Sequence, residues 1–243
     1  MRHNRTGAFM VTSFVLLAAL VARGVTAQET DTPYPAIAPI EQYLMDRTAE
    51  MSLARSAAPA SISDDATILV LGRTGYETAV EGTNGFVCMV DRGWDGPLDW
   101  PEFWNPRIRA AACLNPQAAR AIAPIMLLRT RMVLAGKARA EIVSALKAGF
   151  ANHSLPPLED GAMAYMMAED AYLTDMGGHN GAHVMFYTQV NSADWGANVE
   201  GSPVMASPFW YFAPQASSQM TGLPPMIVFL VGTSTWSDGT PAT

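Results

Sequence analysis

Two histidines four positions apart, His179 and His183, follow a run of carboxylates at Glu169, Asp170 and Asp175. Neutral imidazoles and carboxylates are ligands for zinc or another divalent ion, and such a site with an open position activates water for hydrolysis. The same groups would also serve as general acid and base. An HxxxH spacing joins both rings only on a helix, however, and Gly177, Gly178 and Gly181 oppose a helix there. Glu is also missing from the position after His179, so the zinc-protease pattern is not met. If Ala182 to Tyr187 is a strand, the alternation predicts His183, Met185 and Tyr187 on one face, with Val184 and Phe186 pointing into the core. A structural, hydrogen-bonding role is the preferred expectation for the pair, with metal ligation by His179 and His183, or acid–base work, as the alternatives.

Trp94, Trp100 and Trp104 fall within one loop beside Asp91, Asp95, Asp99 and Glu102. Aromatic faces with paired acids suit a sugar-binding cleft, and two suitably separated carboxyls hydrolyse glycosides. The preferred reading is that the indoles fold back and seal an edge of the core, where tryptophan usually resides. Ser144 and Lys147 match the acylating SxxK pair, but no SDN or KTG companion occurs, which leaves a solvated helix face as the simpler account. Met163, Met166, Met167, Met176 and Met185 lie near the histidines; thioethers select Cu(I), although methionine in an apolar stretch is more often packing material. GxSxG, P-loop and GxGxxG patterns are absent, so α/β-hydrolase, nucleotide and dinucleotide readings have no motif behind them.

The elements that must position these groups are legible from period and punctuation. Pro39 suits the first turn of a helix, and Ile40, Leu44, Met45, Thr48, Met51 and Leu53 predict an amphipathic helix over Ile40 to Arg55. Thr67 to Leu71, Tyr76 to Val80 and Phe86 to Val90 read as strands, and Asn84-Gly85 suits a tight hairpin turn, so the expectation is a three-stranded antiparallel meander. From Pro116 to Asn152 the residues are helix formers, with Asn115 as cap, Pro124 as a break and Gly136 as the separator before a helix over Ala138 to Phe150. His153 lies just past that helix, where contact with the helix dipole accounts for it. Ala162 to Met167, His183 to Tyr187, Trp210 to Ala213 and Met226 to Val231 are further strand candidates. Strand, helix and strand blocks in this order predict an α+β fold: an antiparallel or mixed sheet with helices packed on one face.

The amino terminus gives an address. Arg2, His3 and Arg5 precede an uncharged run from Ala8 to Ala22, and Val25-Thr26-Ala27 offers small residues for cleavage before Gln28. That order is a secretory signal peptide over residues 1–27, and its apolar run is too short to span a bilayer. A flexible, proline-bearing lead-in over 28–39 and one domain over 40–243 complete the expected organisation. Removing 27 of 243 residues leaves 216, and since three of the fifteen basic residues and no acidic ones belong to the leader, twelve basic against 22 acidic residues give the mature chain a charge of −10. Such a balance repels phosphate backbones, so nucleic acid is not expected as a partner, whereas a small-molecule or envelope partner is compatible. No transmembrane segment is expected after cleavage, because Pro224, Pro225 and Gly232 bound the apolar run Met226 to Val231.

Two cysteines, Cys88 and Cys113, in a chain sent to an oxidising compartment predict one disulfide. Closing a loop of roughly 25 residues stabilises a fold by about 3 kcal/mol in the chain-entropy description.

Several blocks resemble those of a family of exported bacterial hypothetical proteins of unknown function: Ser56 to Pro59, Gly82 to Cys88, Pro101 to Pro106, Cys113 to Pro116, Ser192 to Asn198 and Gly201 to Pro203. The resemblance implies export and a fold of its own and carries no mechanism. The sequence therefore predicts a periplasmic or secreted globular protein, non-catalytic and envelope- or ligand-binding. The alternative is a metal-dependent or acid–base hydrolase using His179 and His183, and no cofactor is specified.

Overall fold

The computed structural model describes residues 33–177, 181–189, 205–208 and 221–242. The signal-peptide segment, His179, the strand expected over Trp210 to Ala213 and the Ser192 to Asn198 block lie outside the described residues.

The framework is a mixed sheet of eight strands in the order β2-β1-β3-β4-β5-β6-β8-β7. In chain order these are β1 (Thr67–Leu71), β2 (Tyr76–Val80), β3 (Val87–Asp91), β4 (Ala110–Leu114), β5 (Met163–Met166), β6 (His183–Thr188), β7 (Met205–Pro208) and β8 (Pro225–Gly232). The helices are α1 (Arg47–Arg55), α2 (Ala60–Ser63), α3 (Pro116–Ala121), α4 (Ala123–Leu134) and α5 (Arg139–Ala151). The expected α+β class with a mixed sheet is what the chain adopts. Ala118, Ile122, Ile125, Met126, Ile142 and Leu146 from α3 to α5 pack on Leu69, Leu71, Met89 and Leu114. The other face of the same strands, through Ile68, Cys88, Val90, Ala111 and Cys113, receives Ala54 of α1 with Ala57 and Ala58. Covered on both sides, β1 and β4 are almost wholly buried, which explains their unbroken Thr-Ile-Leu-Val-Leu and Ala-Ala-Ala-Cys-Leu runs.

The disulfide joins Cys88 of β3 to Cys113 of β4, which are direct cross-strand partners with Cα atoms 3.9 Å apart. Asn115 caps α3 as expected, its side-chain oxygen accepting the Ala118 N–H at 3.0 Å. The helical stretch divides at Ile122, two residues before Pro124. Gly136, at φ +73°, ends α4. There the Gly136 and Lys137 N–H groups return to the carbonyls of Val133 and Met132, which makes a Schellman cap in the left-handed conformation that favours glycine.

Three expectations are corrected. The meander is not formed, because β3 pairs in parallel with β1 instead of with β2. The Gly82–Gly85 loop crosses the start of β1: the Thr83 and Asn84 N–H groups donate to Asp65 carbonyl, and the Asn84 amide donates to Ile62 carbonyl at 2.7 Å. Gly82 lies so close that a Cβ there would sit 2.2 Å from Thr67 N and 2.3 Å from Ala66 C, so the Asn-Gly signal marks a crossing against backbone.

The helix expected over Ile40 to Arg55 is interrupted. A single 3-10 turn at Ile40–Gln42 is followed by a break, and α1 starts afresh with Asp46 capping Thr48 and Ala49. At the break the Gln42 and Tyr43 carbonyls accept from Arg109 Nη2 and Arg92 Nε, both at 2.9 Å, in place of helical N–H groups.

On β6 the faces are reversed. His183 (2 % exposed) and Tyr187 (4 %) turn inward, and Phe186 is 42 % exposed. Pairing decides this, since His183 and Met185 lie opposite the core residues Met166 and Ala164 of β5.

Candidate functional site

A groove of about 490 Å3 opens between the segment Tyr34 to Ile37 and the start of α5. Its floor and walls follow from the elements just described. The Schellman turn at Gly136 redirects the chain into Lys137 and Ala138, and Glu141 caps the new helix: Oε2 accepts the Ala138 N–H at 2.9 Å and Oε1 the Lys137 ammonium at 3.1 Å. The Arg139 guanidinium lies 4.4 Å above the Phe103 ring, which meets Trp104 edge-on with centroids 4.5 Å apart. Trp104, 8 % exposed, lines the groove. Its carbonyl accepts the Tyr43 hydroxyl at 2.7 Å, and the same hydroxyl accepts the Ala38 N–H at 3.1 Å.

The opposite wall belongs to the stretch expected to be a flexible lead-in. There Tyr34 is held by a hydrogen bond from its hydroxyl to Asp175 Oδ2 and Ala38 by Tyr43, so Pro35, Ala36 and Ile37 are suspended between two anchors. Asp175 also accepts from Tyr172 at 2.8 Å and Asn105 at 3.0 Å, and it lies 3.3 Å from the Arg107 guanidinium. Partial burial pushes the Asp175 carboxyl up, but the Tyr34, Tyr172 and Asn105 hydrogen bonds and the Arg107 charge outweigh it and hold the group below the usual carboxylate range. Hydrogen bonding to Asp175 correspondingly raises the Tyr34 and Tyr172 phenols. Buried Glu102 supports the clasp from beneath, accepting from Asn105, Thr174 and the Asp175 N–H.

The groove offers shape, aromatic surface and positive charge. Among the described residues that line it, the ionisable groups are Tyr34, Lys137, Arg139 and Glu141, with no histidine, serine or cysteine. A second crevice, beside Phe150 and Pro225, has room for about 10 Å3 and holds no more than a water.

The residues singled out from the sequence are largely elsewhere. His183 is buried at the start of β6 with Nδ1 2.8 Å from the Gly181 carbonyl, and because a carbonyl only accepts, Nδ1 carries the proton. Glu169 and Asp170 are exposed, and Asp175 belongs to the clasp. Among the described residues no group of three or more His, Cys, Asp or Glu side chains is arranged to hold a metal ion. Trp94 is fully buried, its indole N–H donating to Thr130 at 2.9 Å, and Trp100 packs beside Ile108 and Met166. Only Trp104 of the three tryptophans reaches the groove. Ser144 donates to its own helix at Ala140 carbonyl, Met166 and Met167 are buried, and Met176 is exposed.

Sequence reasoning missed Tyr34 and the Lys137–Arg139 corner. The proline-rich composition around Tyr34 hid a segment anchored by partners 141 and 5 residues away, although Gly136 before two cations was a visible sign of a tight, charged turn. No protein-family model matches this chain, nor does any curated protein or solved structure. Among the described residues no helix is long and apolar enough to cross a membrane.

Proposed function

We propose that this chain is an exported, non-catalytic small-molecule-binding protein, acting in the periplasm or after secretion, with the Tyr34–Arg139 groove as its ligand site. The observation that carries the proposal is the groove itself, whose volume of about 490 Å3 lies within the roughly 300–1,000 Å3 range of small-ligand pockets. A wall made of Tyr34, Pro35, Ile37 and Trp104 faces one bearing Lys137 and Arg139, which favours a ligand with a planar or apolar body and an anionic group. Export is supported by the leader-like amino terminus, by the disulfide and by the resemblance to exported bacterial proteins.

Benzoate and its neutral counterpart benzyl alcohol test the site. In amide- and indole-detected NMR, benzoate is expected to shift the Trp104 indole and the Lys137 to Arg139 amides and to bind more tightly than benzyl alcohol. Lys137→Ala should weaken benzoate while leaving benzyl alcohol unchanged. Shifts elsewhere, or none with either probe, overturn the site. Amino-terminal sequencing of the protein from the cell envelope should begin at Gln28; an intact Met1 terminus confined to the cytosol overturns export.

A further inference from the structure

Beneath the end of β3 lies a buried group of charges that the groove does not use. Glu50 of α1, Asp91 at the end of β3, and Asp95 in the turn Gly93–Asp95 supply three carboxyls; Arg92 and Arg129 of α4 supply two guanidiniums. All five side chains are buried. Arg92 is committed to Glu50 Oε1 and Tyr43 carbonyl, both at 2.9 Å, and to Val90 carbonyl. Arg129 Nη2 donates to Gly96 carbonyl at 2.5 Å. Asp95 Oδ2 accepts the Arg92 N–H at 3.1 Å and lies 3.4 Å from the Tyr76 hydroxyl, which donates to Val90 carbonyl at 2.8 Å. Among the described residues, the buried Asp91 Oδ1 has no hydrogen-bond partner.

Within this buried group three carboxyls face two guanidiniums, and the part-buried Arg109 donates to the Pro106, Ile108 and Gln42 carbonyls on the Glu50 side, so the Asp91–Asp95 end carries the excess negative charge, in surroundings where an isolated charge is far costlier than a proton. We propose that the Asp91–Asp95 pair binds one proton in the folded protein, and that this proton latches the Trp94 turn to α4. The turn is held there by Trp94 donating to Thr130 and by Arg129 donating to Gly96, so a second negative charge between Asp91 and Asp95 acts directly on this contact.

Electrostatics point the same way. Burial, then the neighbouring Asp95 charge, pushes the Asp91 carboxyl well up, against the opposing pull of Arg92 and Arg129. Burial raises Asp95 to about 6, with Arg129 the strongest opposing influence. The other charged or titratable groups around the pair, among the described residues, are Tyr76 of β2 and Tyr187 of β6, both raised by burial and by the nearby aspartates, and Arg109, on the Glu50 and Arg92 side, lowered to about 10 by burial.

The sign is that of an acid made weaker by folding. Between the ordinary aspartate value and the raised one, the native state holds a proton that the unfolded chain has lost, so stability falls as pH rises through that window. One such proton changes the folded-to-unfolded ratio by up to about tenfold per pH unit.

Carboxyl-carbon NMR of the purified protein should show Asp91 titrating well above the ordinary aspartate value, and hydrogen exchange at the Trp94 indole should accelerate once the pair ionises. Asp91→Asn, which mimics the protonated acid, should flatten the fall of the urea midpoint between about pH 5 and pH 8. Titration of both Asp91 and Asp95 at or below the ordinary aspartate value overturns the proposal, as does an Asp91→Asn variant that keeps the full wild-type slope. Should that variant fail to fold, the wild-type titration decides the matter.

Discussion

Asp91 and Asp95 beneath β3, and Asp175 beside the Tyr34 segment, are the same chemical group among the same kinds of neighbour, arginine and tyrosine. Their acidities nevertheless move in opposite directions. Asp175 gathers three side-chain hydrogen bonds and an arginine while keeping access to water. Asp91 has lost water and gained a like charge, and the two guanidiniums beside it also serve Glu50 and main-chain carbonyls. The contrast shows that nearby arginine does not set a carboxyl's charge; the balance of donors against desolvation does. It also separates two places in the fold, since the exposed clasp holds a wall of the groove while the buried cluster lies where the Trp94 turn meets α4.

The largest break in that comparison should come from Arg92→Met. This leaves the buried Glu50 carboxylate with the Leu71 N–H, at 3.0 Å, but without its cation, and breaking a buried pair in this way costs about 3–5 kcal/mol. Urea unfolding at neutral pH measures it, and a loss near that of an exposed pair would show the cluster to be hydrated.

Replacing Cys88 and Cys113 together by alanine should cost about 3 kcal/mol through the freed loop, whose ends are 25 residues apart. The pH slope assigned to Asp91 should persist in that variant, because the disulfide lies on the opposite face of β3. Loss of the slope would join two regions held here to be separate.

Asp175→Asn should have the smallest effect and the opposite pH sign. The folded acid is stronger than the unfolded one, so its stabilisation is present above the ordinary aspartate value and disappears as pH falls through the lower folded value. The variant should show a flatter acid limb in urea midpoints below about pH 4. Faster exchange at the Ala38 amide would report the loosened wall, and an unchanged acid limb would remove Asp175 from the clasp.

Much of the helical half was readable locally. Asn115, Pro124 and Gly136 act on the backbone within a few residues, so their cap, break and Schellman turn needed no knowledge of distant neighbours. The sheet was less readable. Asn84-Gly85 satisfies its hydrogen bonds on Asp65 and Ile62, and the alternation on β6 does not say which face is the core until Met166 and Ala164 lie opposite it. The candidate site was barely legible, because Tyr34 and Asp175 meet across 141 positions and Trp104 looks no different from Trp94 in the sequence.

By itself the sequence determined the leader-like start, the net acidity, the cysteine pair, the α+β class and the places where helices begin and end. These depend on composition or on contacts within one turn of chain. Tertiary structure alone decided that β3 crosses to lie parallel with β1, that His183 faces inward, and that Asp91 and Asp175 carry opposite shifts. Those properties depend on solvent access and on partners brought from far along the chain, and neither exists until the sheet and helices have packed.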